Sequence, residues 1–228
     1  MKVEIYSDVA CPWCYIGTAR FERALAAFPA GSDVEVSFRP FQLNPSTPAT
    51  AQPLYDYYDQ LFGPGFRSRH AEVVTVAARE GLEFHLDRAL AVNTFTAHRL
   101  LWLTERDYGA ATQRALKAAL LRTYFTDGGN VADTETLVAL AVEVGVDRAQ
   151  ATEWLSGDEG TVEVTGEINA ARAMGVQAVP TFVFDGKYAV QGAQDASVFL
   201  RALEQVVAES ASGGDDGDAA CSDGACAV

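Results

Sequence analysis

The chain has 228 residues, 49% of them hydrophobic, and 31 acidic against 17 basic side chains give it a net charge of −14. That balance argues against a nucleic-acid partner, because phosphate recognition needs a basic face. No stretch approaches the ~18 consecutive apolar residues of a membrane helix. There are four cysteines, in two close pairs at opposite ends of the chain: Cys11 with Cys14, and Cys221 with Cys226.

Residues 2–7 alternate as a strand does. A secretory leader would begin with a basic start, a longer apolar core and a small-residue cleavage site, so a cytoplasmic protein is expected. There, paired cysteines more often carry redox or metal chemistry than structural disulfides. From Tyr15 to Phe28 the pattern turns helical, with Ile16, Ala19, Leu25 and Phe28 on one face, and residues 34–43 again read as a strand. The first cysteine pair therefore lies at a strand-to-helix junction.

After a proline-rich stretch (44–53), residues 54 to about 174 are alanine-rich and helical. Breaks fall at Gly63-Pro64-Gly65, Gly81–Phe84, Asp107–Gly109, Asp127–Asn130, Gly145 and Ser156-Gly157, and five or six helices are expected. Asp133 and Asp147 are placed to cap two of them. Strands return in "VPTFVFDGKYAVQG" (179–192), where Asp185-Gly186 between two apolar runs is a hairpin signal. Asp195 precedes a last helix, expected from Ala196 to about Glu209. Residues 210–228 are small, polar and acidic, and read as a flexible tail holding Cys221 and Cys226. The sum is β-α-β, a helical block, then β-β-α: an α/β fold in which the block is an insertion.

Cys11 and Cys14 are spaced one helical turn apart. The first backbone N–H groups of a helix lack partners and its dipole favours an anion, which stabilises a thiolate there. Pro12 suits a first turn, since it gives up an N–H that would be unpaired anyway. By this geometry Cys11 is the exposed nucleophile and Cys14 the buried resolver of a dithiol–disulfide exchange centre. Cys-x-x-Cys is also half of a zinc knuckle, but the second pair is spaced by four and lies some 210 residues on, so neither metal nor cofactor is expected.

With Cys11-Pro12-Trp13-Cys14 and Val179-Pro180-Thr181 both present, the chain resembles the DsbA-like branch of the thioredoxin superfamily. "DVACPWCYIG", "RPFQLNP" and "NTFTAHRL" are similar to its FrnE-type members, grouped with the 2-hydroxychromene-2-carboxylate isomerases and kappa-class glutathione transferases. The resemblance implies a thioredoxin fold, residues 1–44 and 175–209, interrupted by a large helical insertion, residues 45–174. It implies Cys11 as nucleophile, Cys14 as resolver, Pro180 as a cis-proline and Val179 as the substrate-facing residue, with Pro12 and Trp13 shaping the contact surface. Isomerase and transferase relatives usually replace the pair with a serine that activates glutathione, so the retained cysteines favour disulfide exchange. Partners are then protein disulfides or dithiols, or a small thiol such as glutathione. His98 within "NTFTAHRL" reads as structural. The tail pair, about eleven residues beyond the last helix, is expected to act as an auxiliary redox centre exchanging with Cys11. The sequence does not give the oligomeric state.

Overall fold

The computed structural model describes residues 1–212; Cys221 and Cys226 lie outside the described residues. Strand β1 (Lys2–Ser7) is central to a four-stranded sheet of order β2-β1-β5-β6. It runs parallel to β2 (Glu35–Pro40) and antiparallel to β5 (Thr181–Phe184), which pairs with β6 (Tyr188–Gln191). The hairpin turn forms where expected: Asp185 and Gly186 both take positive φ (47° and 66°), and the Lys187 N–H donates to Phe184 O at 2.9 Å. Two adjacent positive-φ residues give the turn a twist that matches the flanking strands.

Helix α1 (Pro12–Ala27) and helix α9 (Ala196–Ser212) pack on one face of this sheet. Alternation along the strands sends Val3, Ile5, Val36, Phe38, Phe182 and Phe184 to that face, where they meet Phe21, Leu25, Phe199 and Leu203. Phe21, absent from the face expected for α1, is the hub, its ring lying 5.3, 6.3 and 5.7 Å from those of Phe182, Phe184 and Phe199. The opposite face carries Tyr6, Phe41 and Val176 and an ion cluster. In it Arg39 reaches Glu4 at 2.8 Å and Glu105 at 2.9 Å.

Between β2 and β5 the chain forms α2 (Leu54–Phe62), α3 (Phe66–Arg79), α4 (Phe95–Tyr108), α5 (Ala110–Arg122), α6 (Thr134–Glu143), α7 (Arg148–Ser156) and α8 (Thr161–Ala173). The six sequence breaks thus separate seven helices rather than five or six. Asp133 and Asp147 cap α6 and α7 as expected, accepting from Thr136 N at 2.9 Å and Gln150 N at 3.0 Å. A two-residue strand pair, β3 (Gln52–Pro53) with β4 (Leu90–Ala91), was not anticipated. Helix α5 closes onto the edge of the main sheet. The Gln113 side-chain amide donates to Phe38 O at 3.0 Å and accepts from Phe38 N at 2.8 Å.

Two boundaries differ from expectation. β2 ends at Pro40 rather than at residue 43, because proline cannot donate to the ladder. Helix α9 continues to Ser212, three residues past Glu209, so eight residues separate it from Cys221 rather than eleven. It starts beside α1, with Phe199 against Phe21 and Asp195 3.6 Å from Arg20. It ends at the far side of the sheet, where Glu209 bonds the Tyr188 hydroxyl.

Candidate active site

The loop 8–10 carries the chain from β1 into α1, and Cys11 is the N-cap residue of that helix, with extended backbone (φ −92°, ψ 113°). Its Sγ accepts the Cys14 N–H at 3.3 Å, as an N-cap side chain should, and Pro12 occupies the first turn. Across from it the Val179–Pro180 peptide bond is cis, and the Cys11 thiol donates to Val179 O at 3.7 Å. The four residues of the expected motif and the Val179-Pro180 loop are therefore brought together across 168 positions of sequence.

Three contacts seat that loop. Gly192 N donates to Pro180 O at 2.7 Å, Thr181 Oγ1 to Ala178 O at 2.8 Å, and Arg20 Nη1 to Ala193 O at 2.6 Å. Arg20 also binds Glu80 at 2.7 Å, which ties the end of α3 to the same place. Gly17 faces the loop: a Cβ there would stand 2.8 Å from Pro180 Cγ and 3.3 Å from Ala193 Cα.

The expectation of an exposed Cys11 is corrected: its exposure is 3% and that of Cys14 is 0%. Val179 and Cys14 cover its sulfur, while Trp13, between the two, is 41% exposed and forms the outward surface. The electrostatics also differ from the simple helix-dipole picture. The hydrogen bond to Cys14 and burial hold the Cys11 thiol well above its ordinary range. Burial pushes Cys14 up as well, but the Cys11 thiol, the Lys117 ammonium and neighbouring Ser7 outweigh it, and Cys14 lies below its ordinary value. Of the two sulfurs the inner one is thus the more readily ionised in the resting geometry.

Asp8, Lys117 and Ser7, none of them singled out by sequence, and the His98 taken as structural lie beneath the pair. Asp8 is 2% exposed; it accepts Leu43 N at 2.8 Å and the His98 Nε2–H at 3.3 Å. Burial alone would raise its carboxyl, but the bonds from His98 and Leu43 keep it below the usual range. Burial holds His98 below the usual imidazole value, so a neutral ring faces an ionised carboxylate. Only "SD" three residues before Cys11 hinted at a buried acid. Among the described residues no group of three or more His, Cys, Asp or Glu side chains is placed to hold a metal ion, and no helix is long and apolar enough to cross a membrane.

Beside Pro12 opens a cavity of about 510 Å³ walled by the insertion. Tyr58, Phe62, Phe66 and His70 form a run of ring contacts along it, at 5.8 Å for Tyr58–Phe62, 4.5 Å for Tyr58–Phe66 and 3.7 Å for Phe66–His70. Phe62 is 61% exposed at its mouth. Burial pushes the Tyr58 hydroxyl up to about 12, so it stays protonated and able to donate.

A DSBA-like thioredoxin domain matches residues 2–204. The chain belongs to that family. It is 39% identical to a probable DsbA oxidoreductase from Streptomyces coelicolor, covering 92% of this chain and 91% of that one, with a TM-score of 0.82. It is 27% identical over 208 residues to the uncharacterized protein YwbO of Bacillus subtilis (strain 168), covering 89% and 96%. The fold is also that of the cytosolic disulfide reductase DsbM of Pseudomonas aeruginosa, solved with glutathione, at 18% identity, 91% and 100% coverage and a TM-score of 0.66. This family's fold, with its helical insertion, is the one described above.

Proposed function

We propose that the protein is a thiol–disulfide oxidoreductase whose reacting groups are Cys11 and Cys14. The observation that carries this is the placing of Cys11 at the start of α1, 3.3 Å from the Cys14 N–H and 3.7 Å from the carbonyl before the cis-Pro180. In the reduced protein, loss of the Cys11 proton leaves a Cys11 thiolate. That thiolate attacks a substrate disulfide and expels one substrate thiolate. Cys14, after losing its proton, attacks the Cys11 sulfur and expels the second, so two electrons pass to the substrate and Cys11–Cys14 becomes a disulfide. Protein disulfides, or a small thiol such as glutathione, are the partners this chemistry takes, and the cytoplasm is the compartment assigned to it. Titration against glutathione, scored by alkylation and mass, tests the reading. A Cys11–Cys14 disulfide that never forms at any ratio would refute it, as would failure of a Cys14→Ser variant to trap mixed disulfides on Cys11.

The tail pair enters this reading as an auxiliary redox centre. Helix α9 runs about 25 Å from its start beside the middle of α1 to its end. The stretch from Ser212 to Cys221 spans about 30 Å fully extended and roughly 15–18 Å as a relaxed coil. Exchange with Cys11 of the same molecule therefore needs a nearly straight tail, whereas exchange with a second molecule does not. Absence of any Cys11–Cys221 or Cys11–Cys226 disulfide in the Cys14→Ser variant, at low and high protein concentration, would end the relay.

The aromatic cavity beside Pro12 favours a second reading, a glutathione-dependent isomerase or transferase acting on an apolar molecule held there. Glutathione turnover that survives in a Cys11→Ser/Cys14→Ser variant would select it.

A further inference from the structure

Arg20 is the residue at which three parts of the chain meet beside the Pro180 loop. It lies on α1, the helix that Cys11 caps, and only 16% of its side chain is exposed. Its guanidinium divides between two partners. Nε and Nη2 both reach Glu80 Oε1 at 2.7 Å, and Nη1 donates to Ala193 O at 2.6 Å. Glu80 is the last-turn cap of α3, among the inserted helices, and Arg23 of α1 binds it too. Asp195 lies 3.6 Å from Nη1, but it is 80% exposed and adds little. Ala193 belongs to the loop that follows β6. Among the described residues β6 pairs with β5 alone, so the ladder holds its end from one side only. Arg20 supplies a hold from α1. Next to Ala193, the Gly192 N–H donates to Pro180 O at 2.7 Å, and the Cys11 thiol donates to Val179 O at 3.7 Å. Direct contacts therefore run from Glu80, through Arg20 and residues 192–193, to the carbonyl that faces the sulfur. A guanidinium suits this place because its donors diverge at fixed angles: with one edge spent on a carboxylate, the direction of the remaining N–H is set.

We propose that Arg20 is a positioning residue of the exchange centre: oriented by Glu80, it holds residues 192–193, and through them Val179 and Pro180, where a disulfide docked on Cys11 needs them. This rests on the dithiol reading above. The inserted helices, which supply Glu80, thereby help to set the geometry of a site built on β1, α1 and β5. The arrangement separates two reactions of Cys11. In disulfide exchange the thiolate forms an S–S bond with one substrate sulfur and expels the other as a thiolate, with the substrate resting against the Val179 loop. In alkylation by iodoacetamide the thiolate forms one S–C bond and expels iodide, and it needs only access to the sulfur. Val179 covers that sulfur at rest, so a loosened loop harms the first reaction and spares or speeds the second.

The test compares Arg20→Gln with Arg23→Gln, each in a Cys14→Ser background, where a mixed disulfide stays on Cys11. Arg23→Gln removes a cation from the same carboxylate but leaves the Arg20–Ala193 bond in place. Rates of mixed-disulfide formation with oxidised glutathione, and of alkylation by iodoacetamide, are read at Cys11 by peptide mass. Arg20→Gln should slow the disulfide reaction about tenfold, as a displacement of a few tenths of an ångström would, with alkylation unchanged or faster. Arg23→Gln should leave both rates within about twofold. A slowing under threefold in Arg20→Gln, an equal slowing of its alkylation, or an equal slowing in Arg23→Gln overturns the role of Arg20 and leaves the dithiol reading intact. A Cys14→Ser chain with both arginines in place, whose Cys11 is alkylated but never forms the mixed disulfide, overturns both. Should Arg20→Gln fail to fold, Arg20→Lys, which keeps the charge without the fork, is held to the same outcomes.

Discussion

Adding a single methyl group at Gly17 probes how closely α1 is fitted to the Pro180 loop. In an open helix, Gly→Ala stabilises by about 0.8–1.0 kcal/mol, because alanine gives up less backbone freedom. Gly166, within α8, offers that open case, with nothing within 4 Å of a new Cβ. At Gly17 the same Cβ meets Pro180 Cγ at 2.8 Å and Ala193 Cα at 3.3 Å. Neither is the loose end of a side chain, and overpacking of this kind costs about 1–3 kcal/mol. Gly166→Ala should therefore stabilise by about 1 kcal/mol in urea unfolding, while Gly17→Ala should range from neutral to about 2 kcal/mol destabilising. The second consequence is chemical. Pro180 cannot move without moving Val179 O away from Cys11 Sγ, and a displacement of about 1 Å in such a site costs about a hundredfold. A shift of a few tenths of an ångström should slow disulfide exchange by about tenfold in Gly17→Ala and not at all in Gly166→Ala. Equal stabilisation by both substitutions, with unchanged exchange rates, would refute the packing argument.

Because burial holds His98 below its ordinary value, the unfolded chain binds a proton near pH 6.5 that the folded chain refuses. Stability should fall as pH drops below about 6.5, with a slope of up to ~1.4 kcal/mol per pH unit. His98→Gln should flatten that slope in urea titrations between pH 6.5 and 5; an unchanged slope would assign it to another group. Asp8 adds a later loss: its depressed carboxyl contributes stability above about pH 3.8 that disappears as pH falls further. Phe21→Ala, which empties the centre of a fully buried four-ring cluster, should cost about 3–5 kcal/mol at unchanged m-value. A loss under ~1 kcal/mol would mean that Phe182 and Phe199 close over the space.

What the sequence made legible was local. Cys11 and Cys14 one turn apart, Asp185-Gly186 in a tight turn, and Asp133 and Asp147 at helix starts each declare themselves within a few residues. The Pro180 loop could be placed opposite the cysteines only because the resemblance joined two distant motifs. The polar floor of the site could not be read. Asp8 and His98 lie 90 positions apart, and Lys117 sits in an alanine-rich amphipathic segment where a lysine normally faces water. The burial of Cys11 escaped for the same reason. A helix start supplies the N-cap geometry, but exposure is decided by what another part of the chain lays across it.

The Gln113 amide on Phe38 has a bearing on more than local hydrogen bonding. It presents one donor and one acceptor to β2 at the spacing of a backbone, and so imitates the first residue of a fifth strand. An unprotected sheet margin recruits strands from other molecules, and this one is stoppered by a side chain from the inserted helices. Excising residues 45–174 to obtain a minimal redox module would uncork it, and the shortened chain should polymerise rather than work as a monomer. Among the described residues β6 is the outermost strand on the other flank, with no further strand paired to it, and any sheet-to-sheet joining of intact molecules would begin there.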